Sequence, residues 1–178
     1  MFNKVIKKAT FAGGCFWCMQ PPFNKLEGVL DVKVGYIGGY VKNPTYTQVS
    51  SGNTGHIEAV EIKFDSEIIS YNELLDVFWK QIDPTDEGGQ FVDRGSQYKS
   101  AIFYHNDIQK QLAIKSKNKL KESKRFDKPI TTKILKATEF YKAEKYHQDF
   151  YKKENLRYKL YKKASGREQF IKKNWNKD

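Results

Sequence analysis

The sequence lacks any long apolar run, and this absence sets the first limit on the class of protein. None of the 178 residues lies in a hydrophobic stretch close to the ~18 residues of a membrane-spanning helix. The opening residues, MFNKVIKKATFAGG, also lack the apolar segment of about 7–15 residues found in secretory signals. We therefore expect a cytoplasmic protein with no membrane partner, in a compartment that keeps thiols reduced.

Cysteine and histidine are scarce, at two and three residues. Both cysteines lie in AGGCFWCMQPPF, residues 12–23, as a Cys-x-x-Cys pair typical of redox sites. A structural zinc site normally takes about four protein ligands, and His56, His105 and His147 lack the His-x(3–5)-His spacing. Zinc is therefore a weak alternative, while a pair of inert buried thiols remains open from these residues alone.

Acidic residues are scarce in the second part of the chain. Residues 1–100 contain 10 basic and 12 acidic side chains, whereas residues 101–178 contain 22 and 9. A basic region of this kind can bind nucleic acid. Its lysines, however, outnumber its arginines and follow a helical spacing in QKQLAIKSKNKLKESKR, as on a solvated helix face. We therefore do not expect a nucleic-acid partner, but a basic nucleic-acid-binding module with salt-dependent affinity stays an alternative.

Strands and helices alternate along the sequence, with no repeat and no flexible linker. Hydrophobic periodicity and capping signals predict the order β-α-β-β-α-β-α-β-α. The predicted strands are 4–12, 29–37, 56–65, 97–104 and 131–137; the predicted helices lie near 18–27, after a capping box at Ser70 and Glu73, after Asn106, and over 139–154.

This order predicts an α+β fold: a two-layer sandwich with a mixed, mostly antiparallel sheet, flanking helices and a ferredoxin-like core. Segments 38–55 and 83–96 are rich in turn residues and longer than most loops, so we expect them to form the walls of a functional site. We expect a single catalytic domain over 1–178 and a monomer. Residues 156–178 are expected to form a basic C-terminal extension that packs on the domain or trails from it.

The residues around the cysteines favour an activated thiol. Pro21 and Pro22 are tolerated in a first helical turn, so a helix begins around the cysteine pair. The free amides and dipole of a helix N-terminus favour a thiolate. The two glycines before Cys15 allow a tight turn and open access to it. Cys15 is therefore the better nucleophile, and Cys18 is close enough to attack whatever forms on it.

A glutamate shares the apolar face of a predicted strand. In HIEAVEIKF, Glu58 has the same parity as Val60 and Ile62, whereas Glu61 points to the opposite face. Burial disfavours the charged form of a carboxyl and raises its pKa. Glu58 is therefore a candidate general acid, unless it lies at the strand end in water or pairs with a lysine.

Six stretches in chain order resemble the A-type peptide methionine sulfoxide reductases. They are GCFWC, VGYIGGY, NPTYTQVSSGNTGHIEAV, ISYNELLDVFW, DRGSQYKSAIFY and AEKYHQDF, followed by ASGREQF at 164–170. The resemblance covers nearly the whole chain. It implies a thiol enzyme, without metal or organic cofactor, that reduces methionine-S-sulfoxide, protein-bound or free, to methionine.

The resemblance also assigns roles. It implies that Cys15 is the nucleophile and that Glu58 protonates the sulfoxide oxygen, which Tyr46 and Tyr98 hydrogen-bond. A sulfoxide sulfur is a poor electrophile, so an acid and donors aimed at its oxygen make the sulfur open to attack.

The remaining matched positions concern substrate binding. Phe16 and Trp17 are implied to form an apolar cage for the substrate methyl group, and Asp93 to hold the substrate or support the acid. His147 and Asn155 lie in less distinctive blocks and are expected to be structural.

The chain departs from many family members at the second thiol. Many have a small residue at the position of Cys18 and carry resolving cysteines in a C-terminal tail, whereas the tail SGREQFIKKNWNKD contains none. Under the resemblance we expect a Cys15 sulfenic acid to condense with Cys18 to a disulfide, which thioredoxin reduces. The alternative that needs only the Cys-x-x-Cys pair is a general dithiol–disulfide oxidoreductase.

Overall fold

The computed structural model describes residues 3–176. Within that range the strands are β1 (Ile6–Gly13), β2 (Val29–Ile37), β3 (Ile57–Asp65), β4 (Gly89–Gln90), β5 (Asp93–Arg94), β6 (Ser100–Tyr104), β7 (Lys133–Lys136) and β8 (Tyr141–Lys142). The α-helices are α1 (Phe16–Asn24), α2 (Tyr46–Ser50), α3 (Tyr71–Trp79), α4 (Asp107–Glu122), α5 (Phe150–Lys153), α6 (Asn155–Ser165) and α7 (Arg167–Trp175).

Six strands form one sheet in the order β7-β6-β1-β3-β2-β8. All neighbouring pairs are antiparallel except β6 and β7, which run parallel. The strands β4 and β5 form a separate short ribbon. The predicted α+β class, with a mixed and mostly antiparallel sheet and helices around it, is thus confirmed. The central position of β1 places its C-terminal end, where the cysteines follow, in the middle of the sheet.

The alternation in β3 separates the two faces of the sheet. Val60, Ile62 and Phe64 are fully buried in the main core, where Phe11 of β1 stacks on Phe23 of α1 and on rings of α3. A smaller cluster, which includes Ala59, covers the opposite face. Burial of apolar side chains on both faces fixes the register, because a one-residue slip would exchange the two sets.

Two predicted helix starts are confirmed. The Ser70 hydroxyl accepts from the Glu73 amide while the Glu73 carboxylate accepts from the Ser70 amide, which completes the capping box. Asn106 caps α4 by accepting from the Gln109 amide at 2.9 Å. These caps are local, so the sequence alone specifies them.

The helix predicted over 139–154 is wrong. The segment contains β8, a 3-10 turn at Lys145–His147 and the short α5. The Gln148 side chain accepts from the Val34 amide and donates to the Val34 and Ala143 carbonyls, so it pairs with strand β2. Asp149 is left-handed, with φ 55°, and is held by Gln20. These tertiary bonds prevent a continuous helix.

The chain beyond α5 forms two helices that meet at Gly166. This glycine has φ 90°, which reverses the chain direction between α6 and α7. The first predicted long loop, 38–55, also contains a short helix, α2, capped by Thr45 and Gln48. Among residues 3–176, no helix is long and apolar enough to cross a membrane.

Candidate active site

Cys15 lies in a tight turn between β1 and α1 and occupies the N-cap position of the helix. Gly14 adopts φ 86°, a conformation that L side chains rarely take. A Cβ on Gly13 would lie 2.7 Å from the Met19 sulfur. Gly14 is therefore required by its backbone conformation and Gly13 is favoured by the close packing of Met19, and together they form the predicted tight turn before the thiol.

The two thiols form a buried, coupled pair. Cys15 is 6% exposed and Cys18 is 2% exposed, and no disulfide joins them. Burial raises the pKa of Cys15 well above its usual value, and the neighbouring Cys18 raises it further. The hydrogen bond from Cys15, helped by the charges of Arg167 and Lys162, lowers the pKa of Cys18 to about 7. A first deprotonation of this coupled pair leaves a thiolate held by the hydrogen bond between the two sulfurs, and it opposes the second deprotonation. The raised pKa of Cys15 differs from the expectation that the helix N-terminus favours a thiolate there, because burial of the thiol outweighs the helix amides.

A pocket of about 210 Å³ opens beside Cys15. Its walls bring together residues from both halves of the sequence: Cys15, Phe16, Trp17, Tyr46, Glu58, Asp93, Tyr98 and Tyr161. Seven of the eight residues singled out from the sequence therefore share one cavity. Cys18 is the exception, because it packs on the other side of the helix against Phe150 and Tyr158.

Glu58 lies on the core side of β3, as its parity predicts, and is 2% exposed. Burial raises the pKa of its carboxyl to about 8, although hydrogen bonds from the Phe16 amide and the Tyr98 phenol act in the opposite direction. The Phe16 amide donates to Oε1 at 3.2 Å. Because that amide immediately follows Cys15, the bond holds a protonated carboxyl beside the nucleophile at neutral pH.

Two tyrosines supply further donors to the pocket. Tyr46 is the first residue of α2, and its amide donates to Oε2 of Glu144 at 3.0 Å. Tyr98 ends a 3-10 turn before β6. Burial, together with the charge of Glu58, raises the pKa of both phenols. Both therefore remain neutral hydrogen-bond donors near neutral pH.

Asp93 and Tyr161 form a second polar wall. The Tyr161 hydroxyl donates to Oδ2 of Asp93. Burial raises the pKa of Asp93, and the hydrogen bond from Tyr161 lowers it in part. Sequence reasoning missed Tyr161. Its signal was a weak one: Tyr158, Tyr161 and Ser165 follow the i, i+3, i+7 spacing of a buried helix face.

Trp17 is fixed by residues from the C-terminal part of the chain. Its indole Nε1 donates to Nδ1 of His147 at 3.0 Å, and its ring stacks on Phe150 with centroids 3.8 Å apart. His147 is 1% exposed and also packs against Phe16. His147 therefore lies behind the pocket wall. Asn155 is exposed and donates to the Tyr151 carbonyl, away from the pocket.

The donor set does not resemble a metal centre. Within residues 3–176, no three His, Cys, Asp or Glu side chains are grouped as metal ligands would be. The pocket instead combines a thiol, a protonated carboxyl, neutral phenols and an apolar wall. Such a set can attack a polarised centre while donating a proton to it.

Comparison with known proteins identifies the family. The model of the peptide methionine sulfoxide reductase family matches residues 7–178. A peptide methionine sulfoxide reductase MsrA of Bacillus licheniformis is 56% identical over 169 residues, covering 95% of this chain and 93% of the relative. One from Listeria innocua is 57% identical over 175 residues, covering 98% and 99%. Reduced Mxr1 from Saccharomyces cerevisiae superposes with TM-score 0.80 and 30% identity over 87% of this chain and 90% of its own.

The fold and the pocket thus define a thiol oxidoreductase of α+β class. The chain belongs to the A-type peptide methionine sulfoxide reductase family, whose members reduce methionine sulfoxide.

Proposed function

We propose that this chain reduces the S epimer of methionine sulfoxide, protein-bound or free, by thiol chemistry at Cys15. The observation that carries the proposal is the hydrogen bond from the Phe16 amide to Glu58, which joins the nucleophile's helix to a buried carboxyl with a pKa of about 8. Nucleophile and proton donor thereby face the same cavity.

In the first step, the proton of Cys15 passes along the hydrogen bond to the Cys18 thiolate, and the Cys15 thiolate so formed attacks the sulfoxide sulfur. Glu58 donates its proton to the sulfoxide oxygen, and the neutral phenols of Tyr46 and Tyr98 hydrogen-bond that oxygen. The oxygen passes from the substrate sulfur to the Cys15 sulfur. The substrate gains two electrons and leaves as methionine, while Cys15 loses two and becomes a sulfenic acid.

The apolar wall accounts for recognition of the methyl group. Phe16 and Trp17 line the pocket next to Cys15, and the indole is held by His147 and Phe150. A rigid aromatic wall binds an S-methyl group by apolar contact. Asp93, held by Tyr161, binds polar substrate atoms or supports the acid.

In the second step, the Cys18 sulfur attacks the Cys15 sulfenic acid. A Cys15–Cys18 disulfide forms and water leaves, which balances the atoms and electrons. The coupling between the two thiols supports this local route, because a hydrogen bond already joins them. Within the whole sequence Cys18 is the one other cysteine.

An external dithiol of the thioredoxin class then reduces the disulfide. The yeast relative Mxr1 has also been solved in complex with Trx2. For this chain we further infer a cytoplasmic monomer, one domain that includes the basic C-terminal helices, and a ferredoxin-like core. The order β6-β1-β3-β2 with antiparallel neighbours supports that core.

The deciding experiment is an assay on separated S and R epimers of methionine sulfoxide with a thioredoxin system. We expect turnover of the S epimer and none above background for the R epimer. Equal turnover of both epimers, or of neither, would contradict the proposal.

The resolving role of Cys18 has its own test. Cys18→Ser is expected to release about one methionine per enzyme and then stop, because its sulfenic acid has no partner thiol. A small thiol reductant restores turnover by reducing that sulfenic acid directly. Sustained turnover of the variant with thioredoxin would rule out the Cys15–Cys18 disulfide.

A further inference from the structure

Arg167, the first residue of α7, is a buried cation without a counterion. It is 2% exposed, which is rare for an unpaired charged side chain. Its Nη1 donates to the Gln81 carbonyl at 2.6 Å and contacts the Met19 sulfur at 3.5 Å, and Nη2 donates to the Gly13 carbonyl at 2.9 Å. Nε has no partner. Within residues 3–176, no carboxylate forms an ion pair with it.

The guanidinium lies against the segment that carries both thiols. The Gly13 carbonyl that it binds is two residues before Cys15, and the Met19 sulfur that it contacts belongs to the residue after Cys18. A Cβ on Gly14 would lie 3.0 Å from Nη2. The charge therefore lies beside the turn and the helix that carry the two cysteines of the chain.

The guanidinium carbon also lies 4.8 Å from the centroid of the Phe91 ring. Hydrogen bonds to neutral carbonyls and this ring contact compensate a buried charge only in part. An arginine in this position is costly unless an anion forms beside it. Two of its neighbours can carry a negative charge, the thiol pair and Asp93, and the Tyr161 hydroxyl favours the charged form of Asp93 by donating to it. The thiol pair has no other buried cation nearby, because Lys162 reaches the surface, where it pairs with Glu168.

Several titratable groups face the thiol pair from the elements packed around it. They are Glu58 on β3, Asp93 on β5, Tyr158, Tyr161 and Lys162 on α6, and Arg167 on α7. The carboxylates oppose a negative charge on sulfur, whereas the two cations favour it. Of the two cations, only the arginine is fully buried, where a charge acts through less solvent screening.

We propose that Arg167 is a positioning residue of the redox site, whose charge stabilises the shared thiolate of Cys15 and Cys18 and whose bond to Gly13 holds that pair at the pocket. The proposal rests on the proposed function, because it takes the pair as the redox centre. The disulfide is neutral, so the buried charge favours the reduced, anionic pair over the oxidised one. Arg167 thereby makes the disulfide easier for a dithiol to reduce.

The test compares Arg167→Met, which removes the charge, with Arg167→Lys, which keeps it. The readouts are the pH dependence of thiolate ultraviolet absorbance and of alkylation by iodoacetamide. We expect the thiolate fraction at neutral pH to fall at least about tenfold in the Met variant, a shift of about one pH unit, and to stay within about threefold of the parent in the Lys variant. Lys163→Met, which removes an exposed charge from α6, should match the parent.

A folded Arg167→Met protein with the parental thiol profile would overturn the proposal. If that variant does not fold, Arg167→Gln decides, because it removes the charge and keeps an amide donor for the Gly13 carbonyl. An unchanged thiol profile in that variant overturns the proposal as well. None of these measurements uses a sulfoxide, so a failure of the proposed reaction is seen separately, in the epimer assay.

Discussion

The two sides of the thiol pair differ in origin and in character. The open side, facing Cys15, is a pocket in which Glu58 comes from a central strand, Tyr46 from α2 and Tyr98 from the 3-10 turn before β6. The side facing Cys18 is a closed apolar layer, in which Phe150 and Tyr158 come from the C-terminal helices. The difference is one of access: the Cys15 thiol borders a cavity, whereas the Cys18 thiol is enclosed by aromatic rings.

Removing the acid from the open side should have the largest effect. Glu58→Gln keeps the size of the side chain and its acceptor oxygen for the Phe16 amide, but it has no proton to donate. We expect kcat for S-sulfoxide to fall about 10²–10⁴-fold, the usual worth of a general acid. The measurement is steady-state turnover with thioredoxin. A rate within a few-fold of the parent would show that proton donation comes from elsewhere, as in a general dithiol oxidoreductase.

Opening the closed side, the apolar layer around Cys18, should have the next largest effect. This effect is on the stability of the fold. Phe150→Ala removes the ring that stacks on Trp17 and covers Cys18. We expect a loss of about 3–5 kcal/mol in the free energy of unfolding, as for other buried Phe→Ala changes, measured by urea denaturation. Alkylation of Cys18 should become faster. Leu156→Ala, at a side chain 72% exposed on α6, is the control and should leave both quantities unchanged.

The pocket should also impose an alkaline limit on activity. Only the protonated Glu58 can donate, and its pKa is about 8 because the carboxyl is buried. Turnover is therefore expected to fall about tenfold per pH unit above this value. Protonation of Cys18, whose pKa is about 7, instead affects the acidic side of the pH–rate profile. A rate profile that is flat up to pH 10 would remove Glu58 from the proton-transfer step.

The smallest effect is expected at His147, which lies behind the pocket and holds the Trp17 indole in its wall. His147→Phe keeps an aromatic ring beside Phe16 but removes the acceptor for the Trp17 indole. The lost hydrogen bond, worth about 1 kcal/mol, should raise KM about fivefold with kcat little changed. His105→Phe, at an exposed histidine outside the pocket, should have no effect. An unchanged KM in the His147 variant would mean that packing alone holds Trp17.

The open side was largely predictable because its signals are local. Period-two alternation in β3 placed Glu58 with Val60 and Ile62, and the glycines before Cys15 indicated the turn. The family motifs named the remaining pocket residues of the loops. Each of these signals lies within a few residues of the side chain that it places.

The closed side was not predictable, because long-range bonds build it. Residues 139–154 have a helical sequence pattern but do not form one helix, because Gln148 bonds with Val34, 114 residues away. Arg167 likewise reaches Gly13 across 154 residues. On the pocket side, Tyr161 was missed for the same reason, since it reaches Asp93 across 68 residues. No local pattern marks an arginine that is to be buried, since its usual place is the surface.

The bond between Arg167 and Gly13 also sets the order in which a newly made chain can become active. Domains form from the N-terminus as the ribosome releases them, at about 5–20 residues per second. The sheet strands β1, β2 and β3 can pair once residue 65 has emerged, but the floor and back of the thiol site require residues 147–167. For several seconds of synthesis both thiols are therefore uncovered. During that time a nascent chain in an oxidising cell depends on the reductants of its compartment, until α6 and α7 have been synthesised and have packed.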